Sequence, residues 1–163
     1  MRIEQQILTN LIHDEHYCRK VIPFLKREYF GDRKESVIMK EIVDFFNKYN
    51  KPATPEILAI EISNASGVTD KELADVGEYL QSLVKTPVNE DWLLESTEKF
   101  CKDRAVYLAI MSSIKIFEGK DTLHNQDAIP SLLSDALAVS FDNHIGHDYL
   151  EDFATRFEFY HRV

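Results

Sequence analysis

Few side chains in this sequence stand at spacings that carry chemistry. His13–His16 and His144–His147 are three apart, a spacing that could present two imidazoles to one metal ion from a single helical turn. No cysteine or carboxylate cluster completes either pair, so neither reads as a zinc site. Glu90, Asp91, Glu95 and Glu98 could be taken for a cation or acid–base cluster. Crowded at the start of a helical stretch, they read instead as a solvated face that suits the positive end of a helix dipole. No GxxxxGK[ST] or GxGxxG run cradles a nucleotide, and no GxSxG elbow presents a nucleophile. No catalytic, cofactor-binding or metal-binding residue is therefore assigned.

The remaining chemistry is that of surfaces. Arg19, Lys20, Lys26, Arg27, Arg33 and Lys34 form a modest basic group, interspersed with Glu28, Asp32 and Glu35, and read as a mixed-charge exterior. Trp92 reads as a packing anchor rather than a stacking platform for bases. Cys18 and Cys101 lie inside helical patterns without a CxxC spacing and read as free buried thiols. The net charge of −9 over 163 residues argues against a free-standing DNA-binding domain, whose affinity comes from neutralising phosphates. No apolar run approaches the ~18 residues of a membrane span, and no signal peptide is seen.

Helices must position these residues. Five Gly and five Pro are few, strand alternation is weak, and no Asn-Gly or Asp-Gly hairpin occurs. Ile3, Ile7, Leu8, Leu11 and Ile12 mark a first amphipathic helix, and a short second one carries Tyr17, Cys18 and Val21 up to Pro23. Asp32 caps a longer helix with Ile38, Ile42, Phe45, Phe46 and Tyr49 on its inner side, ended by Asn50. Thr54-Pro55 opens a helix through Ile57, Leu58 and either Ile60 or Ile62, which fails at Ser66-Gly67. Thr69 and Glu72 have the capping-box spacing, and Leu73, Val76, Leu80 and Leu83 face inward after them. The longest stretch, Asn89 to Phe117, predicts one helix stopped at Gly119. Its first half is amphipathic through Leu93, Thr97, Phe100 and Arg104. Its second half, Ala105 to Met111, is apolar nearly all round and is expected to be covered on several sides by other helices. After a polar loop, Ile129, Leu132, Leu133, Ala136, Leu137 and Phe141 form a clean stripe on a helix expected from Asp127 to Phe141. Pro130 sits in its first turn. Because a lone helix of ~15 residues is marginal in water, that stripe is expected to bind a partner surface. Asp148 can cap a last helix through Phe153, Phe157 and Tyr160. The chain then stops at Val163 in mid-pattern, which reads as a fragment of a longer protein.

Six segments carry a resemblance. Ala128-Ile129-Pro130, Ser140-Phe141-Asp142 and Gly146-His147-Asp148-Tyr149 resemble, in that order, the linker region of T-even-type phage replicative helicases of the hexameric DnaB-like class. DWLLESTEKF, RKVIPFLKREYF and PATPEILAIEIS are similar to the N-terminal domain of the same family. The resemblance implies an all-α helical-bundle collar over residues 1–120, a linker with an amphipathic helix over 121–147, and the start of a RecA-like ATPase domain over 148–163. It also implies helical-hairpin contacts between neighbouring collars, made by the Gly119 end of the long helix and the helix before the linker.

The function implied is that of an N-terminal fragment mediating ring assembly and primase or primosome contacts. ATP and Mg2+, and the unwinding they drive, would belong to the absent domain, as would single-stranded DNA. The partners implied are further copies in a hexameric ring, primase and a helicase loader, in the cytoplasm of an infected bacterial host, with no membrane. A stand-alone helical adaptor, such as a loader or a transcription-associated factor, is the alternative from another class. An enzyme with an unrecognised site is the third.

Overall fold

A computed structural model describes residues 2–121 and 124–141. Among the described residues there are seven α-helices and three short 3-10 turns, and no strand. The helices are α1 (Ile3–His13), α2 (Glu15–Val21), α3 (Arg33–Tyr49), α4 (Pro55–Ser63), α5 (Asp70–Ser82), α6 (Glu90–Phe117) and α7 (Ile129–Leu137). The fold is all-α. The chain divides into two compact units, Met1–Cys101 and Lys102–Val163, and the division falls inside α6. The helix expected after Asp148, and the second histidine pair, lie outside the described residues.

In the first unit the caps stand where the sequence puts them. Asp32 accepts from the backbone N–H groups of Lys34 and Glu35 at 2.9 and 3.1 Å. Thr54 accepts from Ile57, with Pro55 opening the helix. Thr69 and Glu72 close a reciprocal capping box at 3.1 Å each way. Each cap satisfies donors that a helix start leaves without intrahelical partners. Asp14 ends α1 and caps α2 through the N–H of Tyr17, so the two helices turn on one residue.

The core gathers Ile7, Leu8 and Leu11 of α1, Ile38 and Ile42 of α3, Leu58 and Ile62 of α4, and Leu93 of α6, all at or below 2% exposure. Between the two residues the sequence left open, Ile62 is the buried one, whereas Ile60 is 58% exposed. Leu58 and Ile62 are one helical turn apart and share a face; Ile60 projects from the opposite one. On α3 the expected stripe runs out towards its end. Phe45 and Phe46 are half-buried and Tyr49 is exposed, its ring against Phe45 at 4.6 Å.

Two polar groups are built into this core. Thr97 Oγ1 donates to the carbonyl of Leu93 at 2.6 Å, which leaves it as acceptor for the buried Tyr17 hydroxyl at 2.7 Å. Burial, the first cause, raises the Tyr17 pKa and keeps that hydroxyl a donor. Glu35, 1% exposed, takes the Tyr79 hydroxyl and Arg2 Nη2 on the same carboxylate oxygen, tying α3, α5 and the start of α1 together. Cys18 and Cys101 are free and fully buried, and burial pushes their thiols up to about 11 and about 12.

Candidate interaction surface

The second unit begins within α6. Gly119 ends that helix at φ +77°, with Lys120 N–H donating to Lys115 O and Gly119 N–H to Ile116 O. This is the Schellman arrangement, and its left-handed position suits a residue without Cβ. Asn125 caps a 3-10 turn at Gln126–Ala128 through the N–H of Asp127. That turn feeds α7, and Pro130 stands in its first turn.

The apolar half of α6 has two faces with different fates. Ala109 and Ile116 are buried, seven residues apart on one side of the helix. Tyr107, Ile110, Met111, Ile114 and Phe117 are 40–71% exposed. At 100° per residue these five fall within about a third of the helix circumference, opposite Ala109 and Ile116. The expectation that Ala105–Met111 would be covered on several sides is thus overturned: within the chain one side is covered. Composition alone could not distinguish cover by the chain's own helices from cover by another molecule. The stripe is aromatic and aliphatic, and Arg104 lies over the Tyr107 ring at 4.5 Å. Tyr, Met, Phe and Arg are types enriched where proteins meet.

The residues singled out beyond the polar loop are divided by the structure. Ala136 and Phe141 are buried, Ile129, Leu132 and Leu133 are partly exposed, and Leu137 is 59% exposed. The helix that carries them stops at Leu137, not at Phe141 as expected. Ala138 N–H closes the last turn onto Ser134 and Asp135 carbonyls, and Val139 N–H bonds Ala136. The β-branched Val139 and then Ser140 are poor helix formers, and the chain leaves the helix there. Phe141 continues the spacing of the stripe but lies off the helix.

The other features scatter. His13 Nε2 lies 3.0 Å from the Leu83 carbonyl, whereas His16 faces Glu90 at 4.0 Å. No group of three or more metal-ligating side chains occurs among the described residues. Glu90 lies within 4.0 Å of Lys20 as well. Arg19 pairs with Glu15 and reaches Asn50, Arg33 pairs with Glu72, and Lys34 faces Asp32, so most of the basic group is neutralised locally. Trp92, expected as a packing anchor, is half exposed. No described helix is long and apolar enough to cross a membrane.

No family model matches the chain. It is 30% identical over 158 residues to the DnaB-like replicative helicase of Enterobacteria phage T4. That match covers 92% of this chain and 33% of the helicase, so the chain spans about a third of the length of its relative. Over nearly its whole length, therefore, this chain is related to part of a phage DnaB-like replicative helicase, the family that its sequence resembles.

Proposed function

We propose that this chain is the N-terminal collar part of a phage replicative DNA helicase, and that it assembles the ring through the exposed face of α6. The observation that carries the reading is the match to the T4 helicase over nearly the entire chain. The physical support is the stripe from Tyr107 to Phe117, an apolar face too coherent to be left in water. Its occupant is the corresponding face of a second copy. In a two-fold contact one patch meets itself, so a single stripe serves both partners. The stripe of α7, with Leu137 outward, docks on a further neighbour. In this reading residues 1–120 are the collar, 121–147 the linker and 148–163 the approach to the ATPase domain. ATP, Mg2+ and single-stranded DNA are handled by that domain, while primase and a helicase loader meet the collar, in the cytoplasm of the infected host.

Sedimentation of the purified chain tests the assembly claim. The chain is expected to associate with rising concentration, and Ile110→Asp with Ile114→Asp to remain monomeric with unchanged helicity. Burying each isoleucine stabilises by roughly 1.5–3 kcal/mol, so the double variant should weaken association by at least a hundredfold. Association unchanged in the variant would overturn the α6 contact. ATP turnover by the chain itself, abolished by a substitution within residues 1–163, would overturn the assignment of catalysis to another domain.

A further inference from the structure

In the first unit, a cavity of about 440 Å3 opens beside α3, bounded by the turn between α4 and α5. Arg27, Arg33, Lys40, Glu41 and Glu61 line it, together with Asn64–Ser66 of the turn. Its size is that of sites that hold small ligands or single anchoring side chains, ~300–1,000 Å3. From its charges and their partners we infer that it binds an acidic side chain presented by a partner polypeptide. This is a second surface, in a different unit from the α6 stripe, and it goes beyond the collar reading.

The cations that line the cavity differ in what they have left to give. Arg33 is held in place: Nε donates to Glu72 at 3.1 Å and Nη2 to the Gly67 carbonyl at 3.0 Å, which ties the turn to α3. Gly67 adopts φ +81°, so that carbonyl is presented by a backbone conformation glycine takes without strain. Lys40 donates to Asp44 at 2.6 Å and lies 3.8 Å from Glu41. Arg27 is different. Its Nε donates to Ser36 Oγ at 3.2 Å, which fixes the plane of the guanidinium, and its terminal amines meet no acceptor among the described residues. A half-buried, oriented fork whose two terminal amines are unspent matches the geometry of a carboxylate.

The acceptors in the same cavity decide which carboxylate. Glu61 makes no ion pair or hydrogen bond among the described residues, and Glu41, its side chain 12% exposed, has Lys40 at 3.8 Å as its ion-pair partner. A phosphodiester backbone or free phosphate would bring more negative charge against these two glutamates, on a chain already at −9. A polypeptide brings a carboxylate for Arg27 and backbone N–H donors for Glu41 and Glu61 together. The mixed lining favours that class.

The test is a titration of the isotope-labelled full chain with capped Gly-Glu-Gly peptide, followed by backbone amide resonances. Capped Gly-Gln-Gly, inorganic phosphate and a single-stranded oligonucleotide serve as comparisons. Saturable shifts centred on the amides of Asn64–Val68 are expected with the Glu peptide. Affinity should be about tenfold lower for the Gln peptide, consistent with loss of one charge-assisted contact of about 1.5 kcal/mol. Arg27→Gln should lose a similar factor towards the Glu peptide, and Arg27→Lys should recover part of it. Indifference to Glu against Gln, an unchanged Arg27→Gln variant, or tighter binding of phosphate or oligonucleotide would each overturn the proposal. The peptide comparison needs no substitution, so it decides the matter even if the variants fold poorly.

Discussion

Glu35 is the most consequential single side chain in the first unit. It is 1% exposed and ties three helices of that unit together, so its role is structural. One of its oxygens collects the Tyr79 hydroxyl and the Arg2 guanidinium, and burial followed by the Glu35 carboxylate raises the Tyr79 pKa, which keeps the phenol protonated as donor. The other oxygen is buried without a hydrogen bond. A carboxylate held so sparingly depends heavily on each partner it does have. Tyr79→Phe removes a donor without changing the packed ring. It should lower unfolding free energy by about 1.5–3 kcal/mol, the range for hydrogen bonds to charged groups. Urea melts followed by circular dichroism check this, and a loss below ~0.5 kcal/mol would mean that the phenol contributes only its ring.

At the scale of elements, α7 is short for a helix that must stand on its own. Nine residues are too few to be stable in water without tertiary or quaternary support. Its buried side offers one small residue, Ala136, whereas Leu137 points outward at 59% exposure. Leu137, with the exposed parts of Ile129, Leu132 and Leu133, is therefore available to something else. If the chain is part of a ring-forming helicase, as proposed, Leu133→Asp with Leu137→Asp in that full-length protein should weaken ring assembly by several powers of ten while the first unit keeps its helicity. Two leucines at roughly 1.5–3 kcal/mol each set that scale. Sedimentation with nucleotide present measures it. Rings with wild-type concentration dependence would remove α7 from the interface, and loss of collar helicity would show that it supports the fold instead.

For the whole molecule, charge limits what the chain can do with nucleic acid. The net charge is −9, and the basic side chains around Arg19–Lys34 are mostly paired with neighbouring carboxylates. Few counterions would be released on contact with a phosphate backbone, so there is little driving force for binding. The chain alone should bind a labelled single-stranded oligonucleotide weakly, and the residual binding should fall steeply with salt. Fluorescence anisotropy tests it: submicromolar affinity at physiological salt would turn the surface near Arg27 and Arg33 into a nucleic-acid site. The α6 stripe, by contrast, is apolar and insensitive to screening, so self-association should survive salt that abolishes any DNA binding.

Local chemistry made much of this protein legible in advance. Asp32, Thr54, Thr69 and Asn89 announce helix starts because a side-chain oxygen satisfies N–H groups within its own first turn. Gly119 announces a stop because the left-handed turn there favours a residue without Cβ. Those are interactions over a few residues, and spacing determines them. What lay beyond the sequence were the pairings across distance. Tyr79 reads as one more aromatic in a helix until α5 packs on α3 and brings it to Glu35, 44 positions away. The cavity at Arg27 is likewise assembled from α3 and a turn some thirty residues on. Most decisively, Ala105–Met111 reads as apolar on every side, which says that it must be covered but not by what. Only the tertiary structure decided that Ala109 and Ile116 are covered within the chain while Tyr107, Ile110, Met111, Ile114 and Phe117 are left to water. The hydrophobic effect rewards removal of apolar area from water without regard to the molecule that removes it, so a sequence pattern carries no mark of the difference.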